Sequence, residues 1–289
     1  MHVPLFTDHI SLMLGEGSFG VVYSVRSSHR DYAIKLFKNR PRIEFVTEHL
    51  VLNYIKSCGG HPNVVEYFGP VRDEINLLGL TFGLAERNLL EYCRIKGTLS
   101  LAKIIKITDQ IVEALLFFKE KRIIHGDIKP ENILLFNRSR LVKVTDFGLA
   151  IRGDVGTVHP IQTVWYRSPE VILELVYTQA IDMWSLACVI VEMIQGKVLF
   201  PQTKEYSLLA LQEYVLSDGV SEKMVSSAAL PIQQRVSESR SFLVSNKVKK
   251  LDAILGKNPL KELIKKMFVF SPEERLTPRE YLCKRVGID

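Results

Sequence analysis

One short segment restricts the possible folds of this 289-residue chain more than any other. It reads His-Gly-Asp-Ile-Lys-Pro-Glu-Asn over residues 125–132 and leads directly into the apolar run Ile133–Phe136. The proline and the density of polar groups predict a loop, and the apolar run predicts a strand after it. The loop carries a carboxylate at Asp127, a cation at Lys129 and an amide at Asn132. Three such groups on one loop can act together on a single reacting group, so the segment predicts a catalytic loop.

A second polar motif follows, in which Asp-Phe-Gly occupies residues 146–148, fourteen residues after Asn132. Alone, this tripeptide carries almost no information. In this order and spacing, however, the two motifs indicate phosphoryl transfer. Asp127 would orient an attacking hydroxyl and accept its proton, and Lys129 would offset charge on a γ-phosphate. Asn132 and Asp146 are the candidate Mg²⁺ ligands, because amide and carboxylate oxygens suit that ion.

A glycine-rich turn lies near the amino terminus, where Gly-Glu-Gly-Ser-Phe-Gly at residues 15–20 fits the pattern G-x-G-x-x-G. Several nucleotide-binding folds share that pattern, and a plain hairpin without a ligand is also compatible with it. Residues 21–25 predict a strand, whereas a dinucleotide-binding fold would need a helix there. A glycine-rich turn followed by a strand favours a hairpin whose turn lies above the phosphate groups of a nucleotide, because glycines let backbone N–H groups approach phosphate oxygens.

A lysine stands inside the predicted strand Tyr32–Phe37. Burying the Lys35 ammonium costs free energy unless an anion meets it. Two candidates, Glu44 and Glu48, lie on a helix predicted over residues 43–55. The apolar spacing of that helix favours Glu48, while Glu44 remains the competing partner. A lysine held in this way can present its ammonium to the α- and β-phosphates of a nucleotide.

The chain divides into two regions with different patterns of apolar residues. Residues 10–79 consist of short β-type runs interrupted by one helix, and beyond residue 89 long helical periods dominate. This pattern predicts an α+β fold with a small antiparallel β-rich lobe and a larger, mostly helical lobe. The polar stretch 217–250 is predicted to be a surface insertion. Further predicted elements are strands at 77–82 and 141–144 and helices at 101–118, 181–194, 206–216 and 260–270.

Composition excludes several other classes of protein. The four cysteines are far apart, with no C-x-x-C pair, so neither a disulfide framework nor a zinc site is expected. The amino terminus does not read as a signal peptide, and the most apolar stretch, 184–194, is too short for a membrane span. An intracellular protein is therefore expected. The net charge of +6 is only a mild excess of basic residues. Because no aromatic residues alternate with the basic ones, we do not expect direct nucleic-acid binding.

The ordered set of motifs resembles the eukaryotic protein kinases, from Leu14 to about Tyr281. Ser-Pro-Glu at 168–170 stands where that family has Ala-Pro-Glu, and Asp-Met-Trp-Ser lies at 182–185. The resemblance implies a two-lobed kinase domain over residues 8–289 after a short extension, 1–7. Its lobes would cover 8–83 and 88–289, joined by a hinge at about 83–87. ATP and Mg²⁺ are the implied cofactors, and proteins are the implied substrates.

The resemblance also implies roles for individual residues. Phe82 would lie beside adenine, and Glu170 and Arg275 would form a buried structural ion pair. Thr163 and Arg167 would shape the substrate pocket. The implied ATP-binding residues are Leu14, Gly15, Glu16, Gly17, Ser18, Phe19, Gly20, Val21, Val22, Ala33, Lys35, Glu48, Phe82, Ala85 and Leu134.

Lys-Pro-Glu-Asn after the catalytic aspartate, together with Thr163, resembles Ser/Thr kinases rather than tyrosine kinases. The segment 163–170 is most similar to the group of cyclin-dependent and mitogen-activated kinases. That group implies substrates with proline after the acceptor residue and a role in the cell cycle or transcription. Residues 41–48 lack the sequence typical of cyclin-binding relatives, so a cyclin-like activating subunit cannot be inferred.

Two positions depart from the family. Gly126 replaces an arginine that commonly binds a phosphate on the activation loop, and Val158 stands where a phosphoacceptor is frequent, with Thr157 adjacent. We therefore expect the loop to adopt its active form without phosphorylation.

Two rival functions remain. One is a non-catalytic scaffold, which the presence of every catalytic residue type disfavours. The other is a kinase for small molecules, which the acceptor-pocket segment around Glu170 disfavours.

Overall fold

The computed structural model describes residues 9–17, 20–38, 43–72, 78–157, 161–241 and 249–286. Its first part is a five-stranded antiparallel sheet with the strand order β1-β2-β3-β5-β4. The short β-branched and aromatic runs of the sequence form these strands, as their composition predicts. The strands are β1 (His9–Glu16), β2 (Gly20–Arg26), β3 (Tyr32–Phe37), β4 (Tyr67–Arg72) and β5 (Leu78–Gly83).

The central strand β3 places Lys35 opposite Val22 of β2 and Leu80 of β5. Among the described residues of this lobe, one helix forms, α1 (Ile43–Ser57), and it buries Glu48 along with its apolar stripe. The helix predicted at 43–55 is thus confirmed and ends two residues later. The predicted strand at 77–82 is β5, although residue 77 lies outside the described residues.

The second part is mainly helical and contains two small sheets, with strand order β6-β8-β9 in one and a β7-β10 pair in the other. Its predicted helices at 101–118, 181–194 and 206–216 all form, each slightly longer or shifted by a residue. The elements in chain order are β6 (Arg87–Asn88), α2 (Leu89–Lys96), α3 (Leu101–Glu120), β7 (Ile123–Ile124), β8 (Ile133–Phe136), β9 (Leu141–Val144), β10 (Ile151–Arg152), α4 (Pro169–Ile172), α5 (Ala180–Gln195), α6 (Glu205–Leu216), α7 (Glu222–Ser227), α8 (Leu230–Ser241), α9 (Leu251–Leu255), α10 (Lys261–Met267) and α11 (Pro278–Arg285).

Helix α5 forms the centre of the helical lobe. It is apolar on nearly every side and buried from Ile181 to Met193, as expected for a helix surrounded by other elements. Trp184 contacts the rings of Phe200, Phe268 and Phe270. Asp182 at the start of this helix bonds the backbone of the predicted catalytic loop, so the loop is attached to this core. None of the described helices is both long and apolar enough to cross a membrane.

The polar stretch 217–250 is more than the predicted surface insertion. It forms α7 and α8, and Ala228, Ile232 and Val236 are buried in the main core. These few apolar residues anchor α8 against α6. Residues 242–248 lie outside the described residues. The helix predicted at 260–270 is shorter than expected, since α10 runs from Lys261 to Met267.

Candidate active site

A cleft of about 470 Å³ lies between the strands of the small lobe and the loops of the large lobe. Ser18 and Phe19 fall outside the described residues. Val21 is not among the residues lining the cleft, because side chains alternate along β2 and Val22 takes the inward position. The cleft is lined by twelve of the residues that the sequence predicts for ATP, which are Leu14, Gly15, Glu16, Gly17, Gly20, Val22, Ala33, Lys35, Glu48, Phe82, Ala85 and Leu134.

Four further residues of the lining were not predicted: Asn88, Glu91, Glu131 and Thr145. Glu131 and Thr145 are chain neighbours of predicted site residues, and this adjacency was the available signal. Asn88 and Glu91 form a capping box at the start of α2. Their spacing, a capping residue followed three positions later by Glu, marks a helix start and could have located this wall of the cleft.

Lys35 lies between two carboxylates inside the cleft. Its Nζ is 2.8 Å from Glu48 Oε2 and 2.8 Å from Asp146 Oδ1. Glu48, rather than Glu44, is therefore the helix residue that meets the lysine. Burial alone would lower the pKa of Lys35, but the two carboxylates raise it above its ordinary value. The ammonium stays charged and can attract phosphate oxygens.

Asp146 has a left-handed backbone, with φ of 66°. Burial disfavours its charge, yet the neighbouring Lys35 ammonium outweighs that effect and lowers the pKa of Asp146. The backbone N–H of the next residue, Phe147, donates to Glu48 Oε1 at 3.3 Å. The Asp-Phe-Gly segment is thus tied to α1 through Glu48, so the position of that helix and the orientation of Asp146 are linked.

The catalytic loop brings its three predicted groups together. Asp127 Oδ2 lies 2.7 Å from Lys129 Nζ and accepts from Asn132 Nδ2 at 3.0 Å. Asn132 Nδ2 also donates to the backbone oxygen of Asp127 at 2.9 Å. The amide nitrogen is occupied, which leaves Asn132 Oδ1 available as a ligand. Asn132 and Asp146 line the same cleft, so their oxygens fit the pair of metal ligands that the sequence predicts.

Backbone contacts from the core hold this loop in place. Asp182, buried at the start of α5, accepts hydrogen bonds from the backbone N–H groups of His125 and Gly126, each at 2.9 Å. His125 accepts from the Asp127 N–H through Nδ1 and donates through Nε2 to the Thr145 carbonyl. Both ring nitrogens are therefore used in structural hydrogen bonds.

One of the two residues predicted for the substrate pocket contacts Asp127 directly. Thr163 donates to Asp127 Oδ1 through its backbone N–H at 3.1 Å and its hydroxyl at 2.7 Å, and Lys129 donates to the same hydroxyl. Arg167 is buried, with Nη2 donating to the Gln162 carbonyl at 2.8 Å and Nη1 paired with Glu205. Gln162 was not singled out in the sequence, because an isolated glutamine carries no motif.

Gly126 makes close contact with the loop that carries the acceptor pocket. Its φ is +75°, and a Cβ there would lie 2.3 Å from Ile161 Cδ1. Ile161 occupies the space beside the glycine as part of a buried group that we call the loop cluster. The loop cluster consists of Ile124, Ile161, Val171, Tyr177 and Ile181, with Leu149 and Ile151 packed against it. Val158 lies outside the described residues.

Glu170 and Arg275 form a paired, fully enclosed contact in the large lobe. Arg275 donates to Glu170 Oε1 at 2.6 Å and to Oε2 at 3.0 Å, and both side chains are essentially inaccessible to solvent. Further donor groups of Arg275 bond the carbonyls of Ala180, Val269 and Phe270. Neither Glu170 nor Arg275 lines the cleft, so the pair does not belong to the residues that could contact a nucleotide there.

A family model described as the protein kinase domain matches residues 9–286. This chain belongs to the protein kinase family. Mitogen-activated protein kinase 15 of Xenopus laevis is 30% identical to it over 98% of the chain, and Dual specificity tyrosine-phosphorylation-regulated kinase 2 of Drosophila melanogaster is 36% identical over 77%. The match with this chain spans only 51% and 32% of the length of these two proteins.

Among solved structures, a crystal structure of a kinase domain matches this kinase chain with a TM-score of 0.81. The match covers 95% of this chain and 93% of the other, at 23% sequence identity. At that identity the similarity establishes the fold, and the predicted two-lobed kinase architecture is confirmed.

Proposed function

We propose that this chain is an ATP-dependent protein kinase that phosphorylates serine or threonine in protein substrates, and that residues 8–289 form its kinase domain. The observation that supports this most is the convergence, at one cleft, of a carboxylate-held lysine with a loop bearing an aspartate, a lysine and an asparagine. Lys35 and Asp146 lie on the same cleft as Lys129 and Asn132, which bond Asp127. Both relatives reported above are named as kinases.

In the proposed reaction, the hydroxyl oxygen of the substrate attacks the γ-phosphorus of ATP, and its proton passes to Asp127. The bond from the γ-phosphorus to the bridging oxygen breaks, and ADP leaves. Lys35 would bind the α- and β-phosphates, and Lys129 would offset charge on the transferred group. These cations are oriented before ATP arrives, because each is already held by a carboxylate.

Asn132 and Asp146 would hold Mg²⁺ together with phosphate oxygens of the nucleotide. A bound Mg²⁺ supplies positive charge that neutralises the phosphates. The lowered pKa of Asp146 supports this role, because the carboxylate remains ionised over the whole neutral range.

We further propose a preference for proline directly after the acceptor residue. Thr163 contacts Asp127, so the preceding residue, Gln162, lies beside the place of the acceptor hydroxyl. The Gln162 carbonyl is directed at the buried Arg167 guanidinium, and Gln162 itself is buried, so this carbonyl is turned away from a substrate N–H. If the substrate residue after the acceptor is not proline, its backbone N–H has no partner here, which costs about 1–3 kcal/mol. Proline has no backbone N–H and avoids this cost.

A peptide-library assay with Mg-ATP tests both proposals together. We expect phosphate on serine and threonine, with enrichment of proline at the next position, and a signal at least about 100-fold weaker from an Asp127→Asn variant purified in the same way. Binding of Mg-ATP without transfer to any peptide would favour the scaffold. Transfer to small molecules but not to peptides would contradict a protein kinase.

A further inference from the structure

The glutamine that precedes Thr163 has an unusual backbone for its residue type. Gln162 is 3% exposed and has a φ of 65°, in the left-handed region that is unfavourable for a non-glycine residue. Such a conformation persists only where surrounding contacts stabilise it.

Every hydrogen-bonding position of its side-chain amide is occupied. Nε2 donates to the Ile181 carbonyl at 2.9 Å and to Ser185 Oγ at 2.8 Å. Oε1 accepts from the Ser168 N–H at 3.0 Å and from the Ser168 hydroxyl at 3.1 Å. Ser168 and Ser185 are both fully buried. An amide offers two donors and two strong acceptor sites, so this network uses all four.

The backbone of the same residue is fixed on both sides. Its N–H donates to the Gly126 carbonyl at 2.8 Å, and its carbonyl accepts from Arg167 Nη2 at 2.8 Å. The side chain connects these peptide groups to α5 through Ile181 and Ser185. Rotation of the peptide between residues 162 and 163 would turn the carbonyl away from Arg167, and the anchored side chain opposes that rotation.

No other side chain of similar size reproduces this set of bonds. A glutamate carboxylate cannot donate to the Ile181 carbonyl, and a leucine can neither donate nor accept. Both replacements leave the Ile181 carbonyl of α5 without this donor, and leucine also leaves the N–H and hydroxyl of Ser168 without their acceptor. Ser168 contributes because it stands where the family has alanine, and its hydroxyl supplies one of the two bonds to Oε1.

We infer that Gln162 is a positioning residue for substrate specificity: its side-chain network with Ser168 and Ser185 keeps its own carbonyl on Arg167 and thereby creates the preference for proline after the acceptor. This inference rests on the proposed function. It assigns the preference to the amide side chain of Gln162, in addition to the arginine.

The test compares kcat/KM for two peptides that differ only in proline or alanine after the acceptor serine. The ratio of the two values, measured on one enzyme preparation, does not depend on how much of that preparation is folded. We expect the proline-to-alanine ratio to fall at least about fivefold in Gln162→Leu and Gln162→Glu, and by less in Ser168→Ala. The KM for ATP should stay unchanged.

Gln110 on α3 provides a matched control. Its side chain also makes four hydrogen bonds, to Asn63, Val142, Lys106 and Arg140, away from the substrate pocket. Gln110→Glu should cost stability without changing the peptide ratio. A ratio retained in both Gln162 variants would overturn this inference alone. A wild-type enzyme without any preference for proline would refute the proposed proline preference, and this inference with it.

Discussion

At the scale of single residues, some side chains are expected to serve the reaction and others the stability of the fold. Asp127 is bonded on both carboxylate oxygens, by Thr163 on one and by Lys129 and Asn132 on the other. All of these partners donate, so the single amide oxygen of an asparagine could keep only one side of the set, while the bonds from Asp182 still hold the loop backbone. The capacity to accept a proton depends on the carboxylate itself.

Asp127→Asn should therefore retain the fold but lower kcat by about 10²- to 10⁴-fold, the range for loss of a general base. Peptide phosphorylation measures kcat, and a thermal melt checks the fold. A variant as active as the wild type would contradict the proposed role of Asp127.

The ion pair between Glu170 and Arg275 is expected to stabilise the fold rather than to take part in the reaction. Glu170→Ala leaves the buried guanidinium uncompensated and should lower the free energy of unfolding by about 3–5 kcal/mol. Arg279→Ala, which removes an exposed pair with Glu120, is the matched control, with an expected loss of about 0–1 kcal/mol. Urea unfolding measures both. Equal losses in the two variants would show that burial of the first pair has no special effect.

At the scale of elements, the loop cluster and two backbone hydrogen bonds between Gly156 and Tyr177 hold the loop against the large lobe. Gly126 has no side chain to bind a phosphate, and Ile161 fills the space beside it. These apolar contacts support the proposal that the loop is ordered without phosphorylation.

Phosphatase treatment of the purified protein should accordingly leave its peptide-kinase rate unchanged. Mass spectrometry before and after treatment shows whether Thr157 carried phosphate. A large loss of activity, restored when Thr157 is phosphorylated again, would refute this proposal.

Elements with a strong local pattern could be predicted from the sequence. The bounds of β3 and β9 follow from short apolar runs, and α1 was placed by its apolar stripe, which also selected Glu48 over Glu44. The network of Gln162 could not be predicted, because Ile181 and Ser185 are 19 and 23 residues away and meet it only through tertiary packing. The core contacts of α8 were missed for a related reason, since two buried apolar residues in a polar helix give almost no periodicity.

The whole molecule is expected to respond to nucleotide, because the cleft is formed by both lobes. Mg-ATP at about 100 times its Kd should stabilise the folded state by about 2.7 kcal/mol and raise Tm by several degrees. Differential scanning fluorimetry measures this shift. Asp146→Asn should lose the part that depends on Mg²⁺, while Asp252→Asn, which changes an exposed carboxylate paired with Lys261 and Lys265, should keep it. Equal shifts in both variants would contradict a metal role for Asp146.

The loop cluster also determines which solution conditions would loosen the loop. Dissolved ions screen contacts between charges but leave contacts between aliphatic groups largely intact, so raising the ionic strength should not release the loop. Hydrophobic contacts weaken on cooling. Low temperature, rather than high salt, is therefore the condition under which this loop would first lose its order.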